Sequence, residues 1–320
     1  MTGGARRRQG RTAAQVDIDG VLLLDKPAGI TSHTAAQRVR RLFEARKAGH
    51  TGTLDPLATG LLPVCLGEAT KFSHGLLDAD KTYQATIRLG VTTATGDLEG
   101  AVTRQAPVAV SEAQARTALG RFVGEILQVP PMYSAIKRGG KPLYKLARAG
   151  QELPREPRRI VIRALTLVRF VSPELEVSVT CSKGTYVRVL AEDIGRELGC
   201  GGCLARLRRT AVGGFSAASG LVTLEGLEAL EPERRIALLL PPDTLLAGLP
   251  RLDLRSPEAR QLQHGQAVER VDAGMTGLVR IYGPDSEFLG MAEVIEPGRI
   301  VPRRLRSQGQ AAAETAGGIA

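Results

Sequence analysis

The chain has 320 residues, which is enough for one large domain and a smaller one, and 43% of them are hydrophobic. Only 3% are aromatic and none is tryptophan, so the core must be built from leucine, valine, isoleucine and alanine. The net charge of +10 at pH 7 predicts a polyanionic partner, with nucleic acid ahead of a membrane surface. No apolar run approaches the roughly 18 residues that a membrane span needs.

Neither the cysteines nor the histidines show the spacing of a metal site. The sequence contains four of each, and Cys200 and Cys203 form a single CxxC pair. A structural zinc site needs four ligands, and no second CxxC or HxxxH pattern completes one. Glycine-rich phosphate loops of the GxGxxG and GxxxxGK[ST] types are absent from the sequence as well. We therefore predict no metal and no cofactor, and the four cysteines fit a reducing compartment, the cytoplasm.

The N-terminal part of the chain alternates between predicted strands and helices. A buried strand over 21–24 ends in a turn over 25–29, and Ser32 is predicted to cap a helix over about 33–46. That helix is amphipathic and carries several arginines on its polar side. Further along we expect a strand over 61–66, a helix over 68–77 and an alternating strand over 81–89.

Between the basic helix and the strand at 61–66 lies the most informative segment, GHTGTLDPLATG at 49–60. It carries one carboxylate, Asp55, in a loop that also contains three glycines and a proline. The proline disfavours helix at Asp55, and we expect Gly49, Gly52 and Gly60 to take positive φ and let the backbone approach a ligand. An isolated Asp-Pro turn is ordinary, but a loop presented by two rigid elements is typical of catalytic residues.

Residues 125–159 differ in composition from the rest of the chain. They contain eight lysines and arginines against three glutamates, together with five prolines and two tyrosines. A basic segment of this length with interspersed aromatic residues is typical of nucleic-acid binding. The periodicity around it predicts a helix over 111–122, strands over 160–170 and 175–181, and a helix over about 186–198 that Gly199 closes.

The C-terminal part predicts a smaller unit. Pro241, Pro242 and Pro250 indicate a linker, and a hairpin over 277–281 and 287–294 predicts a β-rich module over about 247–306. Strands and helices mix without a βαβ rhythm, so we predict an α+β fold with a mixed sheet rather than a Rossmann fold. Residues 1–15 are expected to be a disordered basic arm and residues 307–320 a disordered tail.

Six short blocks along the chain form one ordered pattern. They are GVLLLDKPAGITS at 20–32, the loop at 49–60, KTY at 81–83, VPPMYSA at 129–135, GTYVR at 184–188 and LRR at 207–209. Together they resemble the TruB family of bacterial tRNA pseudouridine synthases, in detail over 20 to about 245 and more loosely beyond. The resemblance implies a pseudouridine-synthase fold over 16–245, with a mixed, largely antiparallel sheet and flanking helices. A small β-rich, PUA-like RNA-binding domain over 247–306 would follow it.

The resemblance implies that the protein isomerises the T-loop uridine of tRNA, at position 55, to pseudouridine. This reaction breaks the bond from N1 to the ribose and remakes it to C5, so it needs neither electron transfer nor a metal. Asp55 matches the catalytic aspartate of the family, acting as a nucleophile or as a base. Arg188 matches the residue that pairs with it, since a buried carboxylate needs a nearby cation to stay ionised. Tyr83 matches a tyrosine that stacks on the uracil and collects the C5 proton.

Five further residues match positions that contact RNA or support the catalytic loop. Tyr186 corresponds to a second contact near the Asp–Arg pair, and Leu207 to a residue whose backbone reads the edge of the uracil. Lys26 and Pro27 correspond to a turn that supports the catalytic loop. A T-loop uridine must be flipped out of its stack, and His50 matches the histidine that fills the gap. The segment 125–159 corresponds to an inserted thumb that closes over the RNA, and the C-terminal module to a contact with the acceptor stem.

Two other functions remain open at this stage. An RNA-binding or RNA-folding protein would use the same basic surface but would not need Asp55 with Arg188 and Tyr83. A guide-RNA-dependent synthase works inside a complex, whereas a full thumb and a compact C-terminal module favour a stand-alone enzyme. We therefore expect the T-arm of tRNA as the partner of a cytoplasmic monomer, without a guide RNA or a membrane, and we also expect help in tRNA folding.

Overall fold

The computed structural model describes residues 18–270, 274–296 and 298–307, so the predicted arm at 1–15 and nearly all of the predicted tail at 307–320 lie outside the described residues. The helices are α1 Ser32–Leu42, α2 His74–Leu77, α3 Glu112–Gly120, α4 Leu143–Arg148, α5 Val187–Glu197, α6 Leu224–Glu228, α7 Pro232–Ile236 and α8 Ser256–Gln263. The strands are β1 Gly20–Lys26, β2 Ala48–His50, β3 Thr59–Leu66, β4 Lys81–Leu89, β5 Val91–Thr93, β6 Val102–Gln105, β7 Gly124–Gln128, β8 Lys137–Arg138, β9 Lys141–Pro142, β10 Arg158–Val171, β11 Glu174–Cys181, β12 Gly202–Val212, β13 Phe215–Ser216, β14 Arg251–Asp253, β15 Val268–Glu269, β16 Gly277–Tyr282, β17 Phe288–Glu296 and β18 Arg299–Leu305.

One large sheet organises the chain up to β13. Its strands run in the order β1-β3-β12-β4-β11-β10-β7, with β2 paired to β3 and β13 to β12. The pairing of β3 with β12 is parallel, and the other pairings described in this sheet are antiparallel. This parallel pairing places the start of β3, just after the Asp55 loop, beside Arg208 and Arg209 of β12. The mixed, largely antiparallel sheet with flanking helices confirms the predicted fold class.

The sheet is buried on both faces where β1 and β3 lie. Leu22 and Leu24 pack into a core that also contains apolar residues of α1, α3, α5 and α6. Val21 and Leu23 point the other way, into a second core. Because strand residues alternate between faces, a strand that is covered on both sides needs an unbroken apolar run, which is what β1 carries.

Three of the local predictions near α1 and α2 are wrong. Thr31, rather than Ser32, caps α1, because its hydroxyl accepts a hydrogen bond from the Thr34 amide at 3.0 Å. The helix ends at Leu42 instead of near 46, since the chain reverses at Glu44 with φ of 51°. The helix expected over 68–77 is divided into a 3₁₀ turn, Gly67–Phe72, and α2.

The C-terminal strands form a separate sheet in the order β14-β16-β17-β18-β15, and β16 and β17 make the predicted hairpin. The expected linker, however, is packed rather than free. A 3₁₀ turn over Pro242–Leu246 shares the second core with Tyr282 and Phe288 of the small sheet. The Tyr282 hydroxyl lies 2.6 Å from an oxygen of Asp243, so a polar contact also joins this turn to the small sheet.

The predicted basic segment 125–159 begins and ends inside the large sheet. Residues 124–128 pair as β7 with residues 158–162 of β10, so the part outside the sheet is 129–157. It carries the short hairpin of β8 and β9, followed by α4. Within the described residues, no helix is long and apolar enough to cross a membrane.

Candidate active site

The loop that carries Asp55 is attached to the turn after β1 and to α1. The Ser32 hydroxyl is hydrogen-bonded to both backbone groups of Leu54, at 2.8 Å from the nitrogen and 3.1 Å from the oxygen. The Gly29 amide donates to the Pro56 carbonyl at 2.8 Å, and the Ala58 amide closes a turn onto the Asp55 carbonyl. The Asp55 side chain remains 36% exposed, so a rigid loop presents a carboxylate that a substrate can reach.

Two of the three glycines in this loop take the conformation expected of them. Gly52 has φ of +109° and Gly60 has φ of +97°. A Cβ at Gly60 would overlap the backbone of Arg209, so the close parallel approach of β12 also requires a glycine there. The expectation for Gly49 is wrong, because this residue lies in β2 outside the left-handed region.

The buried guanidinium of Arg188 brings distant segments together at Asp55. Its Nε donates to Asp55 Oδ2 at 2.8 Å, its Nη1 to the Thr95 carbonyl at 2.8 Å and its Nη2 to the Tyr133 carbonyl at 2.8 Å. The Arg188 side chain is only 5% exposed. Hydrogen bonds to a buried guanidinium are strong and directional, so Arg188 both orients Asp55 and stabilises its charge.

A second carboxylate, Asp97, escaped the sequence analysis. Its Oδ2 lies 3.6 Å from Arg188 Nε, and its side chain is only 6% exposed. Its Oδ1 accepts hydrogen bonds from the Thr95 hydroxyl at 2.5 Å and the Glu99 amide at 3.1 Å. Arg188 therefore stands between an exposed and a buried carboxylate. A short turn after β5 carries Asp97, and no periodicity in the sequence marks it.

Lys26 lies under the catalytic loop, fully buried. Its ammonium group donates to the Pro27 carbonyl at 2.7 Å and to the Pro56 carbonyl at 3.3 Å. Burial lowers the pKa of Lys26 from its ordinary value of 10.5 to about 8, while the charge of Asp55 opposes that change. The Lys26–Pro27 turn is thus bonded directly to the residue that follows Asp55.

The depressed pKa of Lys26 predicts a pH dependence of stability. Between pH 8 and 10.5 the folded state holds fewer protons at Lys26 than the unfolded state, so the free energy of unfolding rises with pH across this window. From pH 8 to pH 10.5 the free energy of unfolding of the wild-type protein should rise by about 3 kcal/mol more than that of Lys26→Met. Urea denaturation of both proteins at several pH values measures the difference. The prediction would be contradicted if the free energies of unfolding of the wild type and Lys26→Met changed with pH in the same way. As a control, Lys141 is exposed, so the stability of Lys141→Met should depend on pH as that of the wild type does.

Tyr83 and Tyr186 lie near Asp55, and Leu207 lies next to the strand that follows the catalytic loop. Burial raises the pKa of Tyr83 and of Tyr186 above the ordinary tyrosine value, and the negative charge of Asp55 acts on both in the same direction. Tyr186 immediately precedes α5, which carries Arg188. Leu207 lies in β12 beside the residues that pair with the start of β3. The structure therefore brings the two tyrosines near Asp55, whereas Leu207 lies beside Thr59, whose hydroxyl donates to the Leu207 carbonyl at 3.4 Å.

His50 stands apart from that group. It lies in β2 opposite Val64 of β3, and its Nδ1 is buried without a hydrogen-bond partner. Burial lowers the pKa of His50, with smaller effects in the same direction from Arg209 and His33. The imidazole is therefore neutral at physiological pH.

Arg209 is a further buried cation that the sequence analysis only recorded as part of the LRR block. It is 1% exposed, and its guanidinium donates to the Leu61 carbonyl at 2.8 Å and to the Gly52 carbonyl at 3.1 Å. It therefore joins β12 to both ends of the catalytic loop. Its place in the LRR block at 207–209 was the available signal.

A cavity of about 660 Å³ opens beside the catalytic loop, with walls that include Ala28, Gly29, Leu57, Thr59 and Leu207. Its volume lies in the range typical of sites for small ligands. Among the residues that the structure describes, no group of three or more His, Cys, Asp or Glu side chains could hold a metal ion. The four cysteines are buried and free, and burial raises the pKa of Cys203 to about 11, so its thiol stays protonated.

Comparison with known proteins places this geometry in a family. Residues 40–187 match the TruB family pseudouridylate synthase N-terminal domain, residues 188–247 the tRNA pseudouridylate synthase B C-terminal domain, and residues 250–305 the pseudouridine synthase II TruB C-terminal region. The tRNA pseudouridine synthase B of Burkholderia mallei is 55% identical over 294 residues, covering 90% of this chain and 97% of that protein. The enzyme of the same name from Aromatoleum aromaticum is 55% identical over 290 residues, covering 91% and 93%.

Solved structures with a similar fold are also found. The archaeal box H/ACA sRNP Nop10-Cbf5 complex contains a chain with a TM-score of 0.68 and 25% identity, covering 91% of this chain and 86% of that one. A Cbf5-Nop10-Gar1 complex contains another with a TM-score of 0.67 and 26% identity, covering 90% and 84%. With identity above half along nearly its whole length, and with Asp55 and Arg188 in contact, the chain belongs to the TruB family of pseudouridine synthases.

Proposed function

We propose that this protein converts the T-loop uridine at position 55 of tRNA to pseudouridine. The observation that carries the proposal is the exposed Asp55 carboxylate, held at 2.8 Å by the buried guanidinium of Arg188 on a loop beside an open cavity. Its relatives named tRNA pseudouridine synthase B support the choice of tRNA as the substrate.

The chemistry suits a single carboxylate. The N1–C1′ bond of uridine breaks, the uracil turns, a C5–C1′ bond forms, C5 loses a proton and N1 gains one. Substrate and product are isomers, so no electrons leave or enter. Asp55 acts as the nucleophile or as the base that helps free the uracil, and Tyr83 stacks on the ring. Tyr186 and the Leu207 backbone contact the uracil, while Lys26 and Pro27 support the loop.

Access to the uridine requires base flipping. His50 fills the gap that the flipped base leaves, and its neutral imidazole suits stacking. The segment 129–157, the thumb, closes over the RNA. Its exposed lysines and arginines provide the charge for phosphate contacts. Stacking by a neutral ring and pairing by cations are the two usual ways in which proteins hold single-stranded nucleic acid.

The proposed partner is the T-arm of tRNA, bound by a cytoplasmic monomer without a guide RNA. The catalytic domain spans 16–245, and the PUA-like domain at 247–306 contacts the acceptor stem. The packing of Tyr282 and Phe288 into the second core supports a fixed distance between the two RNA-binding regions. The same surfaces also assist tRNA folding.

Pseudouridine has the same mass as uridine, so mass mapping of an unmodified tRNA transcript, after a reagent has alkylated pseudouridine but not uridine, tests the proposal. Incubation with the purified protein alone should yield pseudouridine at position 55, and a transcript with cytidine at that position should remain unmodified. Product that appears only after a guide RNA or a protein partner is added would favour the guide-dependent alternative.

Reversal of charge on the thumb should weaken tRNA binding. Lys137, Arg138 and Lys141 are exposed on the β8–β9 hairpin. Each phosphate contact contributes about 0.7 to 0.9 to the slope of log K against log salt. Lys137→Glu, Arg138→Glu and Lys141→Glu together should therefore lower the affinity and flatten that slope by about 2. Filter-binding titrations over a range of salt concentrations measure both effects.

A matched triple, Arg104→Glu, Arg116→Glu and Arg121→Glu, changes the net charge by the same amount outside the thumb. It should leave the slope closer to that of the wild type. If the triple variant of the thumb kept the wild-type salt dependence, the thumb would not contact the phosphates of the RNA.

A further inference from the structure

Gln128 ends β7 at the root of the thumb, and its side chain is directed away from solvent. The residue is only 2% exposed. Its carboxamide makes two hydrogen bonds to the backbone of one residue: Oε1 accepts from the Tyr186 amide at 2.8 Å, and Nε2 donates to the Tyr186 carbonyl at 3.2 Å. The two residues are 58 positions apart in the chain. The carboxamide therefore pairs with Tyr186 as a neighbouring strand would.

These contacts lie at the position where α5 begins. Tyr186 is the N-cap residue of α5 with extended backbone angles, and no side chain caps the helix in the usual way. Backbone amides at a helix start lack partners within the helix. The Tyr186 carbonyl accepts the first helical hydrogen bond, from Leu190, in addition to the one from Gln128. Gln128 is therefore bonded to both backbone groups of the residue at which the first turn of α5 begins.

That first turn carries the groups around Asp55. Tyr186 is at its N-cap, and Arg188, which bonds to Asp55, follows two residues later. Gln128 itself is held by β7, whose five residues all pair with β10 of the large sheet. A rigid sheet therefore supports Gln128, and Gln128 supports the helix start that presents the guanidinium.

We propose that Gln128 is a positioning residue for pseudouridine formation, which acts by fixing the Tyr186 backbone and through it the direction of Arg188. The proposal rests on the function assigned above to Asp55 and Arg188. Displacement of a catalytic group by about 1 Å can slow a reaction by two orders of magnitude. Loss of the carboxamide should therefore slow the chemical step, with little effect on tRNA affinity, because Gln128 is buried away from any RNA.

Gln128→Met tests this with a side chain of similar length that can form neither hydrogen bond. Single-turnover rates at saturating enzyme should fall roughly 10- to 100-fold, while the Kd for tRNA should stay within about threefold. Gln105→Met, on the exposed strand β6, is the matched control and should keep the wild-type rate. A wild-type rate for Gln128→Met, or a loss of affinity as large as the loss of rate, would overturn the proposal.

Gln128→Glu separates positioning from a general folding defect. A neutral glutamic acid can accept from the Tyr186 amide and donate to its carbonyl, whereas a carboxylate can only accept. Burial raises the pKa of a carboxyl group, so the neutral form should persist near neutral pH. The charges that act on Tyr186 come from Asp55, Arg158 and Arg188, and they are present in both proteins.

The rate of Gln128→Glu relative to the wild type should therefore be highest at about pH 5.5 and fall as the pH rises to about 8.5. A ratio that stays constant with pH, whether near one or low, would overturn the proposal. Asp55→Asn serves as the inactive reference in the same assay. If the wild type forms pseudouridine and Gln128→Met forms it at the same rate, only this inference fails. If the wild type forms no pseudouridine, the proposed function fails as well.

Discussion

Asp55→Asn should abolish pseudouridine formation while leaving tRNA bound. Asparagine has nearly the same shape as aspartate, and its carbonyl can still accept the hydrogen bond from Arg188 Nε, so the loop should keep its conformation. What disappears is the negative charge that serves as nucleophile or base. We expect no detectable product, and a tRNA affinity within tenfold of wild type, or about 1.4 kcal/mol. Tritium release from C5, and mass mapping after pseudouridine-specific alkylation, measure the product.

The matched control is Asp285→Asn, an exposed aspartate in the turn between β16 and β17, which should retain full activity. An assay of tRNA refolding with the same preparations distinguishes the alternative functions. If the protein assists folding as well, Asp55→Asn should keep that activity. Measurable pseudouridine from clean Asp55→Asn, by both methods, would contradict the assignment of Asp55 as the catalytic carboxylate.

Arg188→Met should slow turnover at least 100-fold and also destabilise the fold. The substitution removes the cation between Asp55 and Asp97, together with hydrogen bonds to the Thr95 and Tyr133 carbonyls. Asp97 would then be a buried carboxylate without its arginine. Removal of one partner from a buried ion pair typically costs about 3 to 5 kcal/mol. Single-turnover assays and urea denaturation measure the two effects separately.

The double variant Arg188→Met with Asp97→Asn tests the cause of each effect. Neutralising Asp97 removes the unpaired buried charge, so part of the lost free energy of unfolding should return. Turnover should not return, because Asp55 still lacks the group that orients and stabilises it. Activity within tenfold of wild type in either variant would show that the guanidinium is not needed for the reaction.

Several predictions from the sequence depended only on local patterns, and these agree with the structure. The alternating run at 81–89 is β4, the apolar periodicity near 186–198 is α5, and the turn residues at 283–285 join β16 to β17. Short-range features such as strand alternation and turn chemistry act within a few residues, so the sequence itself contains them. The predicted cap at Ser32 failed for the opposite reason. Ser32 is bonded to Leu54, which lies 22 residues away.

The candidate site likewise contains residues that local sequence patterns identify and residues that only long-range packing brings into place. Asp55 stands out in the sequence because of its Asp-Pro turn and glycines, whereas Arg188 was identified through the family resemblance rather than through any pattern on α5. The two residues are 133 positions apart and meet only because the sheet brings the loop before β3 close to the start of α5. Asp97 and Gln128 carried no signal in sequence, since a carboxylate in a turn and an amide at a strand end are common.

By itself, therefore, the sequence determined the fold class, several of the longer strands and helices, and the loop that presents Asp55. The tertiary structure alone decided which groups surround that carboxylate: the shared guanidinium between Asp55 and Asp97, and the bond from Gln128 to Tyr186. It also decided that the expected linker near 241–250 is packed between the two sheets. The physical reason is that buried polar groups must find partners wherever the folded chain offers them, and those partners are set by long-range packing rather than by neighbouring residues.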